Sequence, residues 1–83
     1  MTGSLRKGSV VIAGHATSVS LETEFWDALK AIAARKEISM NALVAEIDGQ
    51  REGNLSSALR VFVLRDALSQ QTADSNEDRL KGL

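Results

Sequence analysis

The sequence predicts a mainly α-helical domain that begins with one short strand, and three observations indicate it. Apolar and small polar residues alternate over residues 16–21, as in a strand with one buried face. From residue 25 onward the apolar spacing changes to every third or fourth residue, which is typical of a helix. Two further helical patterns begin at residues 40 and 55. The expected order is therefore one strand followed by three helices.

We expect a single domain, because the chain has only 83 residues. Residues 1–8 mix glycine, serine and charge without a period, which predicts a flexible basic arm. The folded domain should cover residues 9–69, and residues 70–83 lose the apolar pattern and should form a disordered tail. The segment "SVVIA" at residues 9–13 has strand character, and its pattern leaves open whether it extends the first strand or folds back on it.

Composition excludes several classes of function. The chain has no cysteine and a single histidine, so disulfides and thiolate metal sites are excluded and no metal site is expected. No glycine-rich phosphate loop or paired carboxylates are visible, so we expect neither an enzyme nor a cofactor. No apolar run approaches the roughly 20 residues of a membrane span, and no secretory signal is present. These observations predict a soluble cytoplasmic protein that does not contact membranes.

The positive charge near the start of the chain is a weak signal for phosphate contact. The net charge is −1, but the first 21 residues hold Arg6 and Lys7 and no acid. Two cations in an arm either bind phosphate or only interact with water, and the sequence leaves both interpretations open.

The predicted strand has two different faces. Alternation places Thr17, Val19 and Leu21 on one face, and the other face carries only small side chains, those of Ala16, Ser18 and Ser20. A two-stranded ribbon fits the major groove of DNA, where serine hydroxyls meet base edges and an alanine methyl approaches a thymine methyl. The small face therefore predicts base contact, although an exposed polar face with no ligand has the same pattern.

The start of the second helix is a candidate phosphate anchor. Ser39 is a good N-cap, so Ser39, Met40 and Asn41 present free backbone N–H groups at the positive end of a helix dipole. His15, at the start of the strand, is either a solvated edge residue or a donor to phosphate.

The stretch "SVSLETEFWDALKAIAARKEISMNALVAEI" resembles the ribbon-helix-helix DNA-binding proteins. A longer match from about residue 8 to 68, including "GHATSVSLE" and "NLSSALRVFVL", resembles a bacterial subfamily with a third helix. The resemblance implies an intertwined homodimer in which two chains pair their strands into an intermolecular antiparallel β-ribbon. It also implies a transcriptional regulator that binds double-stranded DNA through the base-facing and anchoring residues named above. Ala16 departs from the subfamily pattern, which often has arginine there.

Eight apolar residues form the predicted dimer core. They are Val19, Leu21, Phe25, Trp26, Leu29, Leu43, Val44 and Ile47. The third helix is apolar around most of its circumference and must be buried against something. The alternative function is an antitoxin-like or other protein-interaction module, which would use the fold for dimerisation and bind a protein partner through the third helix or the tail.

Overall fold

The structure is a computed structural model that describes residues 4–51 and 53–81, and the side chains of residues 4–51 and 53–70. Two strands come first in the chain, and three helices follow. Their bounds are β1 (Leu5–Ile12), β2 (His15–Glu22), α1 (Thr23–Lys36), α2 (Met40–Asp48) and α3 (Leu55–Lys81). The predicted order of one strand and three helices is confirmed over residues 15–70, and β1 is an additional strand.

Strands β1 and β2 form an antiparallel hairpin within the chain, with Gly8 opposite Val19 and Val11 opposite Ala16. The turn consists of Ala13 and Gly14, whose φ angles of 52° and 81° are both positive. Two central residues of this kind twist in the sense that a two-residue hairpin turn requires. The segment at residues 9–13 therefore folds back on β2.

The hairpin corrects two predictions. Strand β2 pairs with β1 of the same chain, whereas the prediction gave it only a strand of a second copy as partner. The flexible arm predicted for residues 1–8 is wrong for residues 5–8, which pair with residues 19–22 as part of β1. The sequence pattern did not predict this part of β1 as a strand, because Gly8 interrupts it and glycine is uncommon within strands. Residues 1–3 lie outside the described residues.

Local sequence signals set the helix ends. Helix α1 stops at Glu37, which adopts a left-handed conformation and donates its backbone N–H toward the carbonyls of Ala33 and Ala34. The predicted N-cap of α2 is confirmed, because the Ser39 Oγ accepts a hydrogen bond from the Ala42 N–H at 3.0 Å. Asn54 caps α3 in the same way through the Ser57 N–H, at 2.8 Å.

Helix α3 extends further than the apolar pattern indicated. The tail predicted to be disordered from residue 70 is helical to Lys81. Two salt bridges fix the first half of this helix on the rest of the chain. Arg60 binds Glu22 at the end of β2 at 2.9 Å, and Asp66 binds Arg35 of α1 at 2.6 Å. Within the described residues, no helix has the length and apolar character needed to cross a membrane.

The core lies between the inner face of the hairpin and the three helices. It is built from Val10, Val19, Leu21, Trp26, Leu29, Ile32, Ala33, Leu43, Val44, Ile47, Leu55 and Leu59. Val19 and Leu21 are buried as the strand alternation predicts. The third helix is only partly covered, because Leu55 and Leu59 are buried whereas Val61, Leu64 and Leu68 are 40 to 55% exposed. The hairpin therefore has one face fixed on the helices and one face in solvent.

Candidate nucleic-acid interface

The exposed side of the hairpin, here called the outer face, brings together residues from both strands. Directly opposite residues in an antiparallel pair point to the same side of the sheet. The register places Lys7 opposite Ser20 and Ser9 opposite Ser18, and it places Val11 opposite Ala16. All six side chains are exposed. The predicted grouping of Ala16, Ser18 and Ser20 on one solvent face is thus what the structure has, and three residues of β1 extend it.

The outer face is mostly small and polar, with one free positive charge. Lys7 takes part in no salt bridge among the described residues. By the same register Glu22, opposite Leu5 at the end of β2, continues this side of the sheet with one acid. Its carboxylate accepts a hydrogen bond from Arg60, and this bond lowers the pKa of Glu22 and keeps its charge paired. The outer face therefore presents serine hydroxyls and the Lys7 ammonium group to solvent.

The start of α2 lies against the outer edge of β1. The Asn41 Oδ1 accepts a hydrogen bond from the backbone N–H of Val11 at 3.1 Å, so the helix start and the hairpin are held together. Ser39 caps the helix, and Met40 packs partly buried against the core. The first backbone N–H groups of a helix have no carbonyl partner four residues earlier, and the helix dipole makes this end positive. The predicted phosphate anchor thus adjoins the outer face.

The other two predicted phosphate contacts lie elsewhere. Arg6 is opposite Leu21 and so belongs to the inner side of the hairpin, although its side chain is exposed. Its backbone carbonyl accepts a hydrogen bond from the Trp26 indole N–H at 2.8 Å. His15 is exposed at the hairpin turn, opposite Ile12, and alternation places it on the side opposite to Ala16. The structure therefore separates His15 from the serines of the outer face.

The residues predicted as a dimer core are already core residues of one chain. Seven of the eight are buried within the chain itself, and Phe25 is partly buried. The guanidinium of Arg60 lies 5.9 Å from the centre of the Phe25 ring. These side chains have little surface left to bury against a second subunit, because the hairpin and the helices of the same chain cover them. Trp26 in particular is covered by the hairpin at Gly8 and is not an exposed recognition platform.

Sequence reasoning missed Ser9 and Val11 as members of the outer face. The signal was present as alternation over Lys7, Ser9 and Val11, with Val10 and Ile12 on the other side. This alternation was hidden because the segment "SVVI" also looks like a continuous apolar run.

A two-stranded ribbon followed by three helices is consistent with a ribbon-helix-helix fold that has an additional third helix, although here both strands of the ribbon belong to one chain. Residues 5–67 match the family described as the ribbon-helix-helix domain, so the chain belongs to this family. Ribbon-helix-helix is a DNA-binding type of fold.

A solved structure of an uncharacterized protein from Bordetella pertussis Tohama I is similar to this chain, with 34% sequence identity and a TM-score of 0.73. The match covers 84% of this chain, and this chain spans 61% of the length of that protein. No curated protein matches the sequence.

Proposed function

We propose that this protein is a sequence-specific DNA-binding regulator of transcription that places the outer face of its hairpin in the major groove. The observation that carries the proposal is the composition of that face, which combines Ser9, Ser18 and Ser20 with Ala16 and Lys7. A two-stranded ribbon fits a groove about 12 Å wide. Serine hydroxyls both donate and accept hydrogen bonds, so they pair with either kind of base edge. In this proposal one chain supplies both strands of the ribbon.

Phosphate anchoring is assigned to the start of α2 at Ser39, Met40 and Asn41. The hydrogen bond between Asn41 and Val11 holds these backbone N–H groups at the edge of the ribbon. A phosphate of the groove wall is attracted by the free N–H groups and by the positive end of the helix dipole. Base contact and phosphate contact thus come from separate elements, and their variants should fail in different ways.

The experiment that tests this function is a binding titration of the full chain over a library of duplex sequences. Ser18→Ala and Ser20→Ala should each change the ranking of sequences, because contacts to base edges carry sequence information. The control is Ser69→Ala, the same change at an exposed serine of α3, which should leave the ranking intact. Base reading by the ribbon is wrong if the two strand variants rank the library as the parent does.

We also propose that the protein acts as a homodimer. Ribbon-helix-helix domains generally bind DNA as dimers. Two surfaces of this chain are available for contact with a second copy. Strand β2 has only β1 as a sheet neighbour within the described chain, so its other edge is open. The apolar side chains of Val61, Leu64 and Leu68 are exposed along α3. Sedimentation of a folded monomer at micromolar concentration would rule out the dimer.

A protein-interaction module is the second candidate function, and the surface of α3 is the observation that favours it. Val61, Leu64 and Leu68 form an exposed apolar stripe at helical spacing. Beside it, a groove of about 440 Å³ lies between the end of α2 and α3. If the parent protein binds no duplex even at low salt, this second function replaces the first.

A further inference from the structure

A cleft of about 240 Å³ lies between the start of β1 and helix α1, beside the outer face. Its lining consists of Arg6, Lys7, Gly8, Trp26 and Lys30. Three of these five residues are cationic, and none of the lining residues in the described part of the chain is acidic. Lys7 belongs both to the cleft and to the outer face, so the two surfaces are continuous.

The three cations of the cleft have no partner among the described residues. The salt bridges of the described chain engage Arg35, Lys36, Arg51 and Arg60 instead. Neighbouring like charges repel each other, so a purely structural cleft gains nothing from three of them. An anion bound between Arg6, Lys7 and Lys30 would be attracted by all three cations and would offset their mutual repulsion. The charge pattern therefore favours an anionic ligand.

The floor of the cleft is held in place by two contacts of Trp26. The indole N–H donates a hydrogen bond to the Arg6 carbonyl at 2.8 Å, which fixes the ring against β1. Gly8 lets the strand approach the ring closely, since a Cβ atom at that position would lie 2.7 Å from the Trp26 Cζ2. Lys30 follows Trp26 by four residues, so both side chains lie on one side of α1. The positions from which the three cations extend are thus set before any ligand binds.

We propose that this cleft binds a backbone phosphate of duplex DNA while the outer face occupies the groove, an inference that rests on the proposed function. Lys7 lies at the cleft and Val11 lies at the start of α2. The two residues are four positions apart in β1, which is about 14 Å along a strand. The major groove is about 12 Å wide. The two positive sites are therefore spaced to reach different phosphates along the groove. Lys30 becomes a DNA-contacting residue that sits outside the ribbon and outside the α2 start.

The proposal is tested by measuring duplex affinity of the full chain at several salt concentrations for the parent and for Lys30→Gln. Removing one phosphate contact should flatten the dependence of log affinity on log salt by up to about 0.9, which corresponds to roughly eightfold weaker binding at 0.1 M salt. The loss should be equal for all duplex sequences, because phosphate contacts carry no sequence information. Lys36→Gln is the charge control: it removes the same positive charge at the last residue of α1, where Lys36 forms a salt bridge with Glu46 at 3.6 Å.

The possible outcomes distinguish failure of the proposed phosphate site from failure of the proposed function. A parent protein that binds duplex, together with a Lys30→Gln slope equal to that of Lys36→Gln, overturns the phosphate site in the cleft and leaves the ribbon proposal standing. A parent protein that binds no duplex at low salt overturns both. A flatter slope for Lys30→Gln alone, with unchanged thermal unfolding of Lys30→Gln, supports the cleft as a phosphate site.

Discussion

The side-chain oxygen of Asn41 at the start of α2 accepts a hydrogen bond from the backbone N–H of Val11 in β1, at 3.1 Å. This contact joins the element proposed to bind phosphate to the element proposed to read bases. The bond also uses a backbone N–H on the edge of β1 that faces away from β2. This donor is therefore not available for pairing with another strand. One amide side chain thus adds to the core packing and the other bonds that hold the hairpin on the helices.

The Asn41→Asp variant tests whether this side chain lies near bound DNA while keeping its hydrogen bond to β1. Aspartate still accepts the Val11 N–H, and acids are tolerated at helix starts, so the free energy of unfolding should change little. A negative charge beside a bound phosphate should weaken binding to all sequences alike. Asn54→Asp is the matched control, because Asn54 also accepts a backbone N–H at a helix start. Equal duplex affinities for the two variants in a titration would show that the α2 start is not part of the DNA interface.

Ala16→Arg should tighten DNA binding, because Ala16 lies on the outer face opposite Val11. A bidentate contact from arginine to guanine contributes roughly 1–3 kcal/mol per base pair, so the best guanine-containing duplexes should gain about fivefold to more than a hundredfold in affinity. Ala67→Arg adds the same charge at an exposed position of α3 and should give only a small, sequence-independent gain. Indistinguishable library rankings for the two variants would mean that position 16 does not face bases.

Gly8→Ala should destabilise the fold through Trp26. The new Cβ would lie 2.7 Å from the ring, and the hydrogen bond to Arg6 keeps the ring from moving freely. Such overpacking costs typically about 1–3 kcal/mol, to be measured by urea unfolding. Gly49→Ala is the control, because a Cβ there meets only ordinary contacts at 3.6 Å and the backbone is already helical. Alanine at position 49 should be neutral or stabilising by about 0.4–1 kcal/mol.

The salt bridge between Glu22 and Arg60 predicts how stability depends on pH. The hydrogen bond from Arg60 lowers the pKa of Glu22 in the folded chain. A lowered folded-state pKa gives stability that is present above the ordinary glutamate pKa and is lost as the pH falls through the folded value.

The difference in unfolding free energy between the parent and Glu22→Gln should therefore be largest near neutral pH and vanish in acid. Glu37→Gln removes no described salt bridge and should not follow this course. A Glu22→Gln difference that is constant with pH contradicts the role assigned to the pair.

Local signals made much of the fold predictable. The change of period after Leu21 located the junction of β2 and α1, and Ser39 marked the start of α2 through its own side-chain bond. Burial of Val19 and Leu21 followed from strand alternation alone. Each of these features depends on residues within about four positions of one another.

The features that were missed depend on tertiary placement. The partner of β2 was misjudged because a hairpin turn with alanine at positive φ, as at Ala13, gives a weak sequence signal. Lys30 belongs to the cleft only because β1 crosses α1 at Trp26, which no local pattern around Lys30 indicates. For the same reason the sequence pattern did not indicate that the eight residues predicted as a dimer core are covered within one chain, where β1 is one of the covering elements.

The most direct test of the ribbon as the DNA-reading element is a nuclear magnetic resonance titration of the full chain with its best-bound library duplex at low salt. The largest amide shift changes should fall on residues 7–11 and 16–20 and on Met40 and Asn41, with small changes over the exposed stripe of α3. Changes concentrated at Val61, Leu64 and Leu68, with the hairpin unaffected, would contradict DNA reading by the outer face.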